Sequence, residues 1–483
     1  MTLKQAYLVA DIGTGNVRVA IADTTGAILG VASGDMQYEK DIHYPESIFF
    51  DPNALWQQIK NLSSIALAQA GPVTIAAITA TSQREGIVAL HSTGQSLIGM
   101  PNIDHRGREW EDNAPDKHEI YTLTGRYPTS LFSALKLVGV RERRPDLWQQ
   151  VETFVSISDW AQFMFGGVQG YEHSQASETL LYDVAKGEWS PKLCDIYQLD
   201  STLLPPLVRS GSVLGKILPA IAQELGISET ADVVVGGSDT QLAIMSLEPS
   251  VEDIVIVSGT TTPIIKIEDH YVTDAQARTW TNRHTDNTNF LLEANAGVTG
   301  LNYQRLKEIF YPNEPYELIE TEVAAIRDTH CVGALGSLLA GEKSPLTRGG
   351  FIFNTPVSHQ LSRAHFVWAT LWDIACSIAE NYNVLREVAH HEQGYVWMCG
   401  GGVQSGLLRQ FIANLLGVKV MIRTNYRQAS VSGGVVICNN ALGIPNHTPE
   451  TLQVTEPDGN NIHLKWHNEW KNARNTLKSF THQ

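Results

Sequence analysis

The stretch DIGTGNVRVAIADTTGAILG, Asp11 to Gly30, closes an apolar run with a carboxylate and bends through Gly13, Thr14 and Gly15. It returns along VRVAIAD, turns at DTTG and leaves along AILGVAS. Apolar runs bounded by turn residues predict three short antiparallel strands. A glycine-rich tip exposes backbone N–H groups and lets a bulky anion approach, and such concave donor arrays bind phosphate oxygens. Gly13, Thr14, Gly15 and Asn16 are therefore candidates to cradle phosphates, with Arg18 adding positive charge. A carboxylate beside a phosphate is repulsive unless a cation lies between them. Asp11 thus implies Mg²⁺, held through water, because Mg²⁺ keeps several waters and few protein ligands. The alternative is a plain β-turn whose glycines only permit the bend.

The same pattern returns about half a chain later, in DIVIVSGTTTPIIKI at 253–267, which places Thr260 at a second strand–turn–strand tip. A third glycine turn stands at Gly400–Gly402. An internal duplication with a phosphate-type turn in each half fits this arrangement. GTGNVRV leads into a strand, whereas a dinucleotide fingerprint needs a helix there, and no GKS or GKT of a P-loop occurs. Between the tips, NALWQQIKNLSSIALAQA (53–70) carries Leu55, Ile59, Leu62, Ile65 and Ala66 at helical spacing. VTIAAITAT predicts a strand that ends in SQREG. ISDWAQFMFGG (157–167) predicts a helix with Ser158 or Asp159 near its cap. ADVVVGGSDTQLAIMSL predicts a strand, a glycine pair, Asp239 and a helix start. Residues 366–391 read as a long helix, 394–417 as strand, glycine turn and helix, and 428–443 as a helix of small residues.

The chain has 483 residues, 43% of them apolar, room for two large domains. A formal net charge of −16 argues against nucleic acid and anionic membrane as partners. The short RERR run at 141–144 reads as a solvated helix end. Five scattered cysteines without a CxxC pair suggest neither a disulfide framework nor zinc. With no leader pattern and no apolar stretch long enough to span a bilayer, a cytoplasmic location is expected.

In their order and spacing, DIGTG, SQREG, ISDW, GGSDTQL, SGTTT, CGGG and ASVSGG resemble the FGGY carbohydrate kinases of the actin-like ATPase superfamily. The resemblance covers nearly the whole chain. It implies an α/β fold of two actin-like (ribonuclease H-like) domains, each a mixed five-stranded sheet with helices, and an ATP cleft between them. Residues 1–246 would supply the substrate side and the first phosphate loop, and 247–483 the nucleotide side. The implied reaction is ATP-dependent, magnesium-assisted phosphoryl transfer to a hydroxyl of a sugar, polyol or related metabolite, and a homodimer is compatible with it. Asp239 would be the catalytic base; from spacing alone it could equally be a helix N-cap. Thr14, Gly15, Asn16 and Arg18 match the first phosphate loop and Thr260 the second. Gly300 and Gln304 match a nucleotide-contacting turn, and Gly401 and Ser405 the adenosine-side turn.

Arg84 and Glu85 put a donor fork beside a double acceptor, which suits a polyhydroxylated ligand, and they match the substrate pair of glycerol kinases. Asp104 matches a substrate-side aspartate of xylulose-type kinases. The aromatic walls of glycerol kinases are missing: Asn102 stands where they carry Trp, and Leu131 lies near the place of a Tyr. Xylulose kinases usually carry Met-His where this chain has Arg84-Glu85. REGIV, NIDHR, ISDW and the D-x-QL motif are similar to the autoinducer-2 kinase group, which implies a small, oxygen-rich substrate. Gln428 replaces a Glu commonly found before the C-terminal AS. The competing expectations are a non-kinase ATPase of the same superfold and a non-catalytic sugar sensor. AHHEQ (389–393) reads as a solvated helix end, and Trp368 and Trp372 as core packing.

Overall fold

The computed structural model describes residues 3–479 except 45, 329, 343, 344, 425, 449, 460 and 461. The opening stretch forms β1 (Lys4–Ile12), β2 (Asn16–Asp23) and β3 (Ile28–Asp35), as its apolar runs predict. With β4 (Val73–Ser82), β5 (Val213–Lys216) and β6 (Asp232–Ser238) they make a six-stranded sheet in the order β5-β6-β4-β1-β2-β3. β1 is apolar on both faces and fully buried from Ala6 to Ala10, as a central strand covered on both sides must be.

The second half repeats this. β7 (Ile254–Val257), β8 (Thr261–Glu268), β9 (Trp280–Arg283), β10 (Phe290–Val298), β11 (Tyr395–Cys399), β12 (Lys419–Arg423) and β13 (Thr451–Thr455) order as β9-β10-β8-β7-β11-β12-β13. The cores β3-β2-β1-β4-β6 and β10-β8-β7-β11-β12 have the same sequence of antiparallel, antiparallel, parallel and parallel pairings. The expected five strands are thus the shared core. β5 adds an edge to the first sheet, and β9 and β13 add edges to the second.

Helices cover the sheets. α1 (Pro52–Ala70) starts on the Asp51 side chain, which accepts from the Asn53 N–H, with Pro52 in its first turn. Its buried face includes Leu55, Trp56, Ile59, Leu62 and Ala66, whereas Ile65 points outward, contrary to expectation. α2 (Ser133–Arg143) ends in the basic run, where Arg143 pairs with Glu109 and Arg144 with Asp146. α3 (Ile157–Gly166) is capped by Ser156, not by Ser158 or Asp159. The Ser156 hydroxyl accepts from the Asp159 N–H, because Ser156 is the last extended residue before the helix.

α4 (Asp239–Met245) follows β6 directly, and α5 (Gly300–Phe310) and α6 (Tyr316–Ala324) follow β10. α7 (Arg363–Val388) is the long helix of the second core, where Trp368 and Trp372 stack 5.7 Å apart, both buried. Past its end His391 is buried and bonds the Glu252 carbonyl at 3.0 Å, so AHHEQ is only in part the solvated end expected. α8 (Gly406–Leu416) and α9 (Ala429–Leu442) complete the set.

The two halves interlock. α9 packs on α4 so closely that a Cβ at Gly433 would stand 1.9 Å from the Leu242 carbonyl oxygen, and on the first sheet so closely that one at Gly434 would stand 2.8 Å from Val9 Cγ1. The arm around β9 docks on the N-terminal half: Tyr121 Oη donates to the Thr279 carbonyl at 2.8 Å, and the Thr281 N–H to Gly125 at 3.0 Å. All five cysteines are buried free thiols. Among the described residues, no helix is long and apolar enough to cross a membrane.

Candidate active site

Register decides where the site lies. In the first sheet Asp11 pairs with Thr81, Ile12 with Ser82 and Ser238 with Ser82, so the carboxyl ends of β1, β4 and β6 are level. In the second, Val257 pairs with Cys399, so the 258–260 and 400–402 turns emerge together. Ligands of open α/β sheets bind at such carboxyl ends.

In the first turn the Gly13 N–H donates to the Asn16 carbonyl at 2.9 Å, and Tyr38 Oη donates to the Thr14 carbonyl at 2.6 Å. Asn102 Nδ2 donates to Thr14 Oγ1 at 3.0 Å, and Gly15 is exposed. In the second turn the Ser258 N–H donates to Cys399, and the Gly402 N–H to Ser258. Gly300 approaches closely enough that a Cβ would stand 2.0 Å from the Gly259 oxygen; at Gly402 it would stand 2.0 Å from Ser258 Oγ. Three turns are therefore packed backbone to backbone, with Thr260 and Gly401 exposed at their surface. Gly300→Ala should force the Thr260 turn apart and weaken ATP binding at least about tenfold, a loss of about 1.4 kcal/mol, measured by calorimetric titration.

Two links join the halves at these tips. Ser430, on α9, donates to Asp11 Oδ2 at 2.7 Å. Arg18 donates to Gln428 Oε1 at 3.1 Å and lies 3.7 Å from Asp11. Within the C-terminal half, the Gly400 N–H donates to the Tyr426 carbonyl at 2.9 Å and ties the glycine turn to the start of α9. Gln428, the unusual residue of the sequence, thus holds Arg18 without neutralising it.

Asp239 is the first residue of α4, and Ser238 holds the cap position. The Asp239 carboxylate accepts from the Thr240 N–H at 2.6 Å. Burial, then the charge of Asp11, push its pKa up to about 6 against the opposing pull of Arg84. Burial also raises Asp11, opposed by Arg18 and the Ser430 hydroxyl. The two carboxylates, both at the carboxyl-end edge of the first sheet, therefore feel each other.

SQREG is the hub. Gln83 Oε1 accepts from the Asn102 N–H at 2.9 Å, and its own N–H donates to Ile12. Arg84 crosses to the other half and forks Glu293 on β10, Nη1 to Oε2 at 2.5 Å and Nη2 to Oε1 at 3.0 Å. Glu85, held at φ 61°, is pushed up to about 8 by burial and by Glu178. A non-glycine residue in the left-handed region is uncommon and is held there by its surroundings, a pattern found at ligand clamps.

Around this hub stand buried charges that the sequence does not single out, among them Glu293, Glu178, Arg126 and Lys136. Arg126 donates to Glu178 at 2.5 Å, and Asn282 donates to the same oxygen at 3.0 Å. The Lys136 ammonium bonds the carbonyls of Asn102, Asp104, Ser130 and Leu131, and burial lowers its pKa to about 8. Glu293 had a legible signal, a lone charge inside the strand pattern FLLEANAG.

Other expected site residues are engaged elsewhere. The Asp104 carboxylate is fully buried, accepting from Arg106 Nε at 2.6 Å and the Ile48 N–H at 3.2 Å, so its two oxygens face the protein rather than the cleft. Ser405 caps α8 by accepting from the Leu408 N–H, and exposed Gln304 donates to Glu308. Beside Ser405 an open groove of about 460 Å³ is lined by Glu320, Thr321, Ala324, Gly406, Leu407 and Gln410.

Two duplicated α/β lobes, with a glycine turn from each and two carboxylates on the first, define the class as a two-lobed α/β fold. Residues 6–246 match the N-terminal domain, and residues 255–442 the C-terminal domain, of the FGGY family of carbohydrate kinases. The chain belongs to that family, and with it to the ATP-using carbohydrate kinases. It is 50% identical over 477 residues, 98% of both chains, to a Bacillus subtilis (strain 168) protein with the provisional name sugar kinase YoaC. It is 33% identical over 251 residues, 50% of this chain and 47% of the other, to autoinducer-2 kinase of Escherichia coli (strain K12). A ligand-bound xylulose kinase from Lactobacillus acidophilus superposes with TM-score 0.84 at 18% identity over 98% of both chains. A Plasmodium falciparum glycerol kinase with ADP gives TM-score 0.84 at 20% identity over 99% of both. At these identities the structural likeness carries the fold alone.

Proposed function

We propose that the chain transfers the γ-phosphoryl group of ATP to a hydroxyl of a small, oxygen-rich sugar, polyol or related metabolite, with Asp239 as proton acceptor. The observation that carries this reading is a carboxylate at the head of a helix, half-buried and facing a second acid between two phosphate-type turns. The N-terminal half (1–246) presents Arg84 and Glu85 to the alcohol. The C-terminal half (247–483) holds the nucleotide, with Thr260, Gly300, Gln304 and Gly401 at its phosphates and sugar and the groove beside Ser405 at its adenosine end. Thr14, Gly15, Asn16 and Arg18 close on the phosphate tail from the other side. Asp104 acts through its loop, whose carbonyls Lys136 fixes.

Chemically, the substrate oxygen forms a bond to the γ-phosphorus as the bond to the β–γ bridging oxygen breaks. ADP leaves, and the hydroxyl proton passes to an Asp239 oxygen. Such transfer is mainly alignment and charge neutralisation, and the base acts late. The donor set fits Mg²⁺: two hard carboxylates in electrostatic contact, with a hydroxyl and one guanidinium beside them. Asp11 would hold the ion through water, and when bound the ion supplies charge neutralisation at the phosphates. Water exclusion falls to the interlocked lobes.

The likeness of half of the chain to autoinducer-2 kinase favours a short, highly oxygenated acceptor over glycerol. A coupled ADP-release screen over pentuloses, hexuloses, aldonates, polyols and furanosyl diones tests the reading. One of these classes should raise ADP release well above the rate with water alone; no response from any of them contradicts it.

Asp239 must be ionised to accept a proton. Activity should therefore rise as pH increases through about 6 and fall about tenfold per unit well below it, as for a single essential base. A pH–rate profile that stays flat far below that value would remove Asp239 from this role.

A further inference from the structure

Arg84 is not a free fork on the substrate side, because both its terminal nitrogens are held by Glu293 from the other lobe. Glu293 Oε1 is shared: it accepts from Arg84 at 3.0 Å and from Asn295 Nδ2 at 2.9 Å. Asn295 in turn accepts, through Oδ1, from the Gly297 N–H at 2.8 Å. These residues lie where the β8–β10 ladder is irregular. Thr261 pairs with Val298 but Pro263 pairs with Asn295, so β10 carries an extra residue between them. A bulge leaves backbone groups out of the ladder and re-aims the strand beyond it. Here the Asn295 side chain occupies the Gly297 N–H, and Gly297 takes φ 73°. Beyond the bulge come Thr299, whose hydroxyl meets that of Thr262 at 2.7 Å, and Gly300, packed on Gly259.

We infer that Glu293 and Asn295 are positioning residues that couple the alcohol-side arginine to the nucleotide turn. The continuous path runs Arg84, Glu293, Asn295, Gly297 and then the Thr299–Gly300 turn beside Thr260. An alcohol oxygen that draws on Arg84 changes the load on Glu293 Oε1. Asn295 and the bulge it fixes respond, and the turn that faces the nucleotide is re-aimed. By linkage the effect is reciprocal, so nucleotide and alcohol each bind better in the presence of the other. The inference rests on the reading that Arg84 faces the alcohol and the 299–300 turn the nucleotide. It adds that the two are wired together through residues that touch neither ligand.

The test is a double-mutant cycle on ADP affinity, measured calorimetrically on the full chain with Arg84→Met, Asn295→Ala and the pair. Asn295 is only half-buried, so its variant keeps the fold. Glu293→Gln replaces Arg84→Met if the latter does not fold. Each single change should weaken ADP about fivefold, a coupling of ordinary size, and the pair should weaken it no more than the larger single. Thermal unfolding recorded alongside separates this from loss of structure, because a merely structural asparagine would lower the Tm and leave the ADP affinity of folded protein alone. Additive losses, or an ADP affinity unmoved by Arg84→Met or Glu293→Gln, overturn the relay. Because the cycle needs no acceptor, it reads the relay even if the wild-type chain phosphorylates none of the alcohols screened, which would instead defeat the kinase reading.

Discussion

Asp239→Asn should lower phosphoryl transfer by about 10³-fold while ATP binds within about twofold of wild type, as expected when a general base is removed. The substitution keeps the shape and the oxygen that accepts from the Thr240 N–H, so α4 still starts in place. What is lost is the site for the alcohol's proton. Removing this charge also relieves the repulsion from Asp11, so nucleotide affinity has no reason to fall. Single-turnover kinetics with calorimetric ATP binding separate the two effects. Turnover within about tenfold of wild type would place the base elsewhere.

Arg84→Ala is expected to show the largest combined loss of substrate affinity and stability. It strands buried Glu293 without the cation that faces it at 2.5 Å, and takes a second cation, at 3.8 Å, from Glu178, which keeps Arg126. Burial raises the pKa of Glu293, but Arg84, with Arg126 and Asn295, more than reverses this and holds the carboxyl below its usual range. Breaking a buried pair on one side costs about 3–5 kcal/mol. For lobes of this size that is a fall of roughly 10 °C in Tm. The KM for the alcohol should rise at least about tenfold, since a charged hydrogen-bond partner is gone. Arg84→Lys should not rescue it, because an ammonium cannot span both Glu293 oxygens. Calorimetric unfolding and acceptor titration measure the two losses. An unchanged alcohol KM with a selective loss of ATP affinity would move Arg84 to the nucleotide side.

The strands, the long helices and the internal repeat were legible because they rest on local patterns: apolar runs, helical spacing and glycine turns. The added edge strands β5, β9 and β13 are short and only partly buried, so no run of apolar residues announces them. The candidate site divides similarly. Asp11, Thr14, Asp239 and Thr260 stand at strand ends, where position along the chain already fixes their place.

Contacts between distant segments leave no such trace. Nothing near SQREG says that Arg84 will be met by Glu293, about 200 residues on. Nothing near Gln428 says that it will hold Arg18. Asp104 could be put on the right loop, but its orientation depends on Arg106 and Ile48, which only the folded chain sets beside it. Ser156 displaced Ser158 as a cap because the strand before α3 ends at Ser156, two residues before the Ser158 that the motif ISDW offers.

The most direct measurement is a crystal structure with a non-hydrolysable ATP analogue and magnesium. One nucleotide is expected, its terminal phosphate between the Thr14 and Thr260 turns and Asp239 facing the open side of that phosphate. A nucleotide bound away from either turn, or an Asp239 carboxylate turned from the phosphate with no space for an alcohol between them, would contradict it.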